Sequence, residues 1–437
     1  MKKVLVLGAG LVSKPMVDYL LNKDFFVRVA TRTVSKAEAL IKNHKNGEAV
    51  QWVVEQKDKL EEMVKDSDLV VSLLPYIYHV QVAEVCIKYK KHMVTTSYVS
   101  DKMQNLDKNA REAGIIILNE IGLDPGIDHM SSMEVIDNIK AAGGKIISFR
   151  SLCGSLPAPE ASNNPFRYKF GWSPRGVALA GRNSARYIEN GSLVEIPGRE
   201  LFKHYYTTKV NTIGEMEVYP NRDSVPYLKK YAIPEAKTIF RGTLRYPGWC
   251  NLWYIISNLG LLETEEKDFT GMAYSDFMKS ILKIKHNDIR GAIAAKFNLA
   301  KNSEVLDKLE WLGVFSEEPI RIGKGGNIDV LVDKLLEKLR YENGERDMVI
   351  LKDEIEAEYG NKKFLHVSTL IDYGLIGKDT AIARTVSLPA ACATKMILEG
   401  KITERGVHIP VLPDIYKPVL KELATLGIKS KEEKKEL

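Results

Sequence analysis

The chain has 437 residues, enough for two or three domains, and at 45% apolar, 27% charged and 8% aromatic it has an ordinary globular composition. Its net charge of +6 comes from scattered lysines, without the clustered basic stripe of a nucleic-acid binder. Cys86, Cys153, Cys250 and Cys392 stand far apart in no paired motif, which argues against a disulfide framework and a zinc site.

The N-terminal MKKVLVLGAGL runs straight into a glycine loop, so it does not read as a signal peptide, and no apolar run reaches the roughly 18 residues of a membrane span. A cytoplasmic protein is expected. Residues 4–7 form a short apolar run, residues 16–21 have helical spacing, residues 25–30 read as a strand, and residues 36–42 open a helix. Residues 68–74 (DLVVSLL) are a strand-length apolar run before Pro75; residues 80–89 are helical, and residues 92–96 and 115–119 are strands. Continuous apolar strands alternating with helices predict a parallel sheet covered on both faces, a doubly wound α/β Rossmann domain over residues 1–124.

Beyond it, residues 130–142 read as a helix ended by Gly143-Gly144, residues 146–152 as a strand, and residues 215–219 and 238–246 as extended. Residues 260–316 read as short amphipathic helices punctuated by Gly271, Gly291 and Gly313. Residues 348–359 and 363–373 flank Gly360-Asn361 as a hairpin, and residues 390–398 form a last helix capped by Gly400. The run KSKEEKKEL (429–437) reads as a solvated tail. The expected division is a nucleotide-binding domain (1–124, joined by 385–437), a mixed α/β substrate-binding and dimerisation domain (125–245 and 330–384), and an all-helical insert (246–329).

Gly8-Ala9-Gly10-Leu11-Val12-Ser13 fits G-x-G-x-x-[G/A/S] between a strand and a helix. Gly8 permits the tight turn, Gly10 lets a pyrophosphate approach the helix N-terminus, and Ser13 is small enough for close helix–strand packing. An NAD enzyme carries an acid about 20 residues further on; this chain has Thr31-Arg32-Thr33, with no carboxylate until Glu38. Arg32 can pair with a 2′-phosphate, so NADP is the expected cofactor. By the switch-point rule Val53-Val54 would flank the adenine, Leu74-Pro75 the nicotinamide ribose, and Thr96-Ser97 the nicotinamide.

Glu120-Ile121-Gly122-Leu123-Asp124-Pro125-Gly126-Ile127-Asp128-His129 follows the last strand of this domain, where a nicotinamide ring would sit against Leu123, Asp124 and Pro125. Asp124 suits a cationic amine, and Asp128 suits a helix cap before residue 130. Cys153 is placed at a strand end, where Gly154 and a sharp turn leave room for a ligand. Tyr98 is either a phenolic donor or a core aromatic. Arg222 and Arg245 lie on strand-like segments, and an arginine fork suits a substrate carboxylate. No catalytic triad or metal site is visible, and hydride chemistry needs neither.

The stretches KHMVTTSYVS (91–100), NEIGLDPGIDH, SLCGSLPAPE, KFGWSPRG (169–176), YPNRDS and RGTLRYPG together resemble the glutamate-forming saccharopine dehydrogenases, in order and over nearly the whole chain. The resemblance implies oxidation of saccharopine with NADP+ and water to glutamate, 2-aminoadipate 6-semialdehyde and NADPH. It implies that Ser97, Tyr98, Asp124, Arg222, Thr243, Leu244 and Arg245 contact saccharopine, that Ser173 lies near the cofactor, and that the protein is a homodimer built through the substrate domain. Saccharopine has three carboxylates and two amines, charges that arginines opposite an aspartate would match. Asp124, Cys153 and Tyr98 are the acid–base candidates for the step that splits the carbinolamine. Two other readings compete: a carboxynorspermidine-type imine reductase, whose polycationic substrate would call for acids instead of Arg222 and Arg245, and a non-catalytic NADPH-binding regulator, which the intact Asp124 loop disfavours.

Overall fold

The structure, a computed structural model, describes residues 1–437. The sequence reading divides the chain in three; by contacts it falls into two units, Met1–Ile146 with Met348–Leu437, and Ile147–Asp347.

The first unit opens with β1 (Lys3–Leu7), α1 (Lys14–Asn22), β2 (Phe26–Thr31), α2 (Val34–Ile41), β3 (Gly47–Gln51), α3 (Lys57–Lys65), β4 (Leu69–Ser72), α4 (His79–Lys88) and β5 (His92–Thr95). Two short helices, α5 (Asp101–Gln104) and α6 (Asp107–Glu112), lead to β6 (Ile116–Leu118). The strands pair in parallel in the order β3-β2-β1-β4-β5-β6. The order reverses between β1 and β4, which opens a crevice at their carboxyl ends. The continuous apolar runs have their reason here: every side chain of β4 and of β6 is buried. β3 and α3 went unread in the sequence. Helix α7 (Ile127–Ala141) follows and begins three residues earlier than the sequence reading places it.

Strand β7 (Lys145–Pro157) carries the chain into the second unit. There come α8 (Pro174–Ala180), β8 (Ala185–Glu189), β9 (Ser192–Ile196), β10 (Tyr206–Val210), β11 (Gly214–Pro220), α9 (Tyr227–Lys230), β12 (Thr238–Arg245) and α10 (Trp249–Asn258). β12 is parallel to β7 and antiparallel to β11 and β8, so this sheet is mixed. The helical stretch is α11 (Tyr274–Leu282), α12 (Ile289–Phe297) and α13 (Glu304–Leu312), then α14 (Asn327–Lys338); the two-residue strands β13 (Lys267–Asp268) and β14 (Lys324–Gly325) pair with each other.

Beyond it, β15 (Asp347–Tyr359) and β16 (Lys362–Tyr373) form the expected hairpin, with Tyr359 opposite Lys362. Three departures from the sequence reading follow. Helix α15 runs from Ala381 to Leu398, nine residues longer than expected, because Thr380 caps it by accepting from the Ala383 N–H at 3.1 Å and because Pro389 is accommodated inside it. By length and composition α15 is apolar enough to cross a membrane, but 78% of it is buried in this structure, where it packs on α1. The chain does not finish there: β17 (Gly406–His408) adds to the sheet beside β6, and α16 (Pro413–Thr425) packs on α7 and α15. The supposed tail is a strand, β18 (Lys431–Glu436), antiparallel to β16 with every side chain exposed.

Candidate active site

The loop after β1 is tied to the neighbours of that strand. The Gly8 N–H donates to the Ala30 oxygen and the Leu73 N–H to the Leu7 oxygen, each at 2.9 Å. Gly8 has φ +108°, and a Cβ there would meet the Leu73 oxygen at 3.1 Å. A Cβ on Gly10 would meet nothing within 4 Å, so the loop is open on that side. Ser13 is fully buried and its Oγ accepts from the Gly10 N–H at 3.0 Å, folding the loop back on the start of α1. Leu11 is exposed and Val12 half-buried. An open glycine at a helix N-terminus fits a bound pyrophosphate.

Thr31 closes β2, and Arg32 and Thr33 follow it exposed, with Thr33 at the start of α2. Arg32 enters no ion pair, which leaves its guanidinium for a 2′-phosphate. Val53 and Val54 lie half-buried just beyond β3, with the Val53 N–H donating to Gln56 Oε1 at 3.2 Å. Leu74 is half-buried beyond β4. These residues therefore fit a dinucleotide with a phosphorylated ribose.

Thr96, Ser97 and Tyr98 leave the carboxyl end of β5, and the Tyr98 hydroxyl donates to Asp124 Oδ1 at 2.8 Å. The Asp124 loop is closed by the Gly122 N–H on the Pro125 oxygen (2.9 Å) and the Ile127 N–H on the Gly122 oxygen (2.9 Å). The Asp124–Pro125 peptide is cis. Leu123 and Pro125 are buried, so Asp124 is the half-buried member of that trio. Asp128 does not precede its helix; it sits in the first turn of α7, where its Oδ1 accepts from the Gly126 N–H at 2.5 Å.

Two buried polar groups here escaped the sequence reading. Glu120, fully buried with φ +55°, donates its N–H to the Ser97 oxygen (3.1 Å), accepts from the Val99 N–H through Oε1 (3.0 Å) and pairs through Oε2 with His129 Nε2 (2.8 Å). It binds the segment carrying Ser97 and Tyr98 to the loop carrying Asp124. His79, at the start of α4, is buried among Ser72, Thr95 and Ser97, and burial pushes its imidazole down to about 4. Glu120 and His129 lie within the quoted loop motif, which was the only available signal; His79 had none.

In the second unit Cys153 lies inside β7, which runs on to Pro157; the expected strand end and sharp turn are absent. Gly154 is needed for packing instead, since a Cβ would sit 2.8 Å from the Leu244 oxygen. Cys153 is buried and faces half-buried Thr243 in register across β7 and β12. Leu244 is fully buried. Arg222 is exposed just past β11 with φ +58°, and its oxygen accepts from the Arg186 N–H at 3.0 Å. Arg245 is not an open fork. It is 5% exposed, its guanidinium lies over the rings of Tyr168 (5.2 Å) and Trp249 (5.1 Å), and Nη1 donates to the Leu244 oxygen (2.8 Å). Ser173 is exposed and caps α8, its Oγ accepting from the Gly176 N–H at 3.2 Å. No group of His, Cys, Asp and Glu side chains is arranged to hold a metal ion.

Comparison with known proteins agrees over the full length. Residues 4–118 match the family model described as Saccharopine dehydrogenase NADP binding domain, and residues 122–428 the Saccharopine dehydrogenase C-terminal domain. The chain is 41% identical over 447 residues to Saccharopine dehydrogenase (NADP(+), L-glutamate-forming) of Schizosaccharomyces pombe, covering 99% of each chain. It is 37% identical to the bovine mitochondrial Alpha-aminoadipic semialdehyde synthase, covering 98% of this chain and 47% of that protein. Among solved structures, the apo saccharopine dehydrogenase (L-Glu forming) of Saccharomyces cerevisiae superposes with a TM-score of 0.91 at 38% identity, covering both chains completely.

Proposed function

Because the chain belongs to the saccharopine dehydrogenase family, we propose that it catalyses saccharopine + NADP+ + water ⇌ L-glutamate + 2-aminoadipate 6-semialdehyde + NADPH + a proton. The full-length match carries this reading, because both the nucleotide fold and the second unit belong to it. NADP+, which the Gly8–Ser13 loop and Arg32 would hold, would supply the acceptor for the hydride that leaves the saccharopine carbon destined to become the aldehyde. The remaining work falls to the chain's own side chains. The secondary amine must be neutral before its neighbouring carbon gives up a hydride, so a group must hold the ammonium form and take its proton. Asp124 suits this, with its carboxylate steadied by the Tyr98 hydroxyl. Water then adds to the substrate imine, and the carbinolamine splits once a proton reaches the departing nitrogen. The Tyr98–Asp124 pair is our candidate for that transfer as well. Arg222 is assigned to a substrate carboxylate, while Arg245 supports the fold beneath Thr243 and Leu244. Arg32 and Thr33 are assigned to the 2′-phosphate.

A cytoplasmic homodimer completes the proposal. Four cysteines held as buried thiols fit a reducing compartment. Light scattering on the purified protein tests the dimer, and fractionation of the source cells tests the location. The activity itself is tested by following NADPH formation from saccharopine and NADP+, with identification of glutamate as product. No NADPH with saccharopine, under conditions where the protein binds NADPH, would overturn it.

A further inference from the structure

At the carboxyl ends of β4 and β5 lies a buried imidazole to which the proposed chemistry gives no role. His79 is 4% exposed. Its Nδ1 is 2.9 Å from Ser72 Oγ, the last residue of β4, and its Nε2 is 2.9 Å from Ser97 Oγ and 3.1 Å from Thr95 Oγ1. Ser72 and Thr95 are fully buried, whereas Ser97 is half-buried and stands at the crevice between the strand ends. One ring therefore joins two strand ends and fixes the one hydroxyl of the three that a ligand can reach. Burial holds the ring well below neutrality in its affinity for a proton, so it is the uncharged form, one nitrogen donating and the other accepting, that spans Ser72 and Ser97.

Proton relay is excluded by the far end of the chain. Ser72 has no exposure, so a proton handed from Ser97 through the ring would arrive where no solvent can take it. What remains is orientation. A serine hydroxyl has one donor and two acceptor sites; one of these is taken up by Nε2, which removes the rotational freedom of Oγ and aims the others. Holding a contact group in place before the ligand arrives lowers the entropy lost on binding and in the transition state.

We propose that His79 is a positioning residue for the saccharopine reaction: it locks the Ser97 hydroxyl at the ends of β4 and β5, so that Ser97 meets the ligand in one fixed orientation. This rests on the function proposed above and on Ser97 being a ligand contact.

The geometry supplies its own pair of test variants. In His79→Gln the side-chain amide reaches the place of Nε2 and keeps a bond to Ser97. In His79→Asn the shorter amide reaches only the place of Nδ1 and keeps Ser72. The expected order of kcat/KM for saccharopine is wild type, then His79→Gln within a fewfold, then His79→Asn and His79→Leu lower by about tenfold or more, the loss expected for a misplaced hydrogen bond. A purely structural role predicts instead that activity follows the thermal midpoint across the three variants. The cycle of His79→Gln, Ser97→Ala and the double variant gives a second reading that does not require the leucine variant to fold. Once Ser97 has lost its hydroxyl, replacing His79 should cost almost nothing further in kcat/KM. Wild-type turnover with additive losses, or with His79→Asn as active as His79→Gln, overturns the inference. Absence of any wild-type turnover of saccharopine instead overturns the function on which it rests.

Discussion

The Tyr98 hydroxyl donates to Asp124 across 2.8 Å, joining the segment after β5 to the loop after β6. Two of the three acid–base candidates are thus one hydrogen-bonded unit. Tyr98→Phe should lower kcat/KM for saccharopine by about ten- to a hundredfold, the range for a bond to a charged group, while leaving NADPH affinity unchanged. Asp124→Asn should do the same with a larger share in KM, and the double variant should be little worse than the worse single one. Steady-state kinetics with a fluorescence titration of NADPH decide this. Independent, additive losses would mean that the two side chains do not act together.

Cys153 is a buried interior strand residue facing Thr243, within electrostatic reach of the Arg245 guanidinium, and a serine hydroxyl can take the place of a hydrogen-bonding thiol there. Cys153→Ser is therefore expected to keep kcat within a fewfold of wild type. Loss of turnover in that variant, with Asp124→Asn nearly silent, would transfer the acid–base role to the thiol.

Arg32 is exposed beyond β2 and engaged in no ion pair. Arg32→Ala should raise KM for NADP+ by about tenfold or more and leave KM for NAD+ nearly unchanged, since only the former carries a phosphate for the guanidinium to grip. Equal effects on both cofactors would place Arg32 away from the ribose.

The two arginines of the second unit part company. Arg222, exposed, should report in catalysis: Arg222→Lys keeps the charge but loses the fork, and kcat/KM for saccharopine should fall with the urea midpoint unmoved. Arg245, stacked on Tyr168 and Trp249, should report in stability, and Arg245→Lys should cost about 1–3 kcal/mol in urea denaturation. The reverse pattern would show that Arg245 holds the ligand.

Gly126 has φ +151°, and a Cβ there would lie 2.0 Å from the Gly122 oxygen. Gly126→Ala must open the Asp124 loop, and a loss of roughly 3 kcal/mol or more is expected, with turnover abolished even in protein that remains folded. Wild-type melting and kinetics would show that the loop has slack the close approach denies.

The strands of the nucleotide fold were legible because β1, β4 and β6 are buried on both faces and so read as unbroken apolar runs. β3 was not, since GEAVQ has no buried residue and no pattern. The first half of α15 was lost to Pro389, a breaker by rule that this helix contains. KEEKKE as a strand was beyond reach, because backbone pairing with β16 places it while its side chains all face water. Motifs mark the glycine loop, Tyr98 and Asp124 as site candidates in the sequence, and the hydrogen bond between the last two is visible only in the structure. The roles of His79 and Glu120 were not legible, because a buried polar residue is defined by partners far along the chain. The aromatic stacking of Arg245 was hidden for the same reason, because Tyr168 comes from a distant segment.

The placement of β17 beside β6 sets an order of events during synthesis. The Gly406 N–H donates to the Ile115 oxygen and the Asn119 N–H to the His408 oxygen, both at 2.8 Å. Until residue 408 leaves the ribosome, the nucleotide fold has an apolar strand, Ile116–Leu118, bare along one side and lacks α15 over its face. Residues 1–405 are all translated in that incomplete state. Such an edge invites pairing with other chains, so the nascent protein should depend on chaperones more than its finished form suggests. A fragment ending at residue 380 should accordingly aggregate, and supplying residues 381–437 in trans should restore part of its solubility.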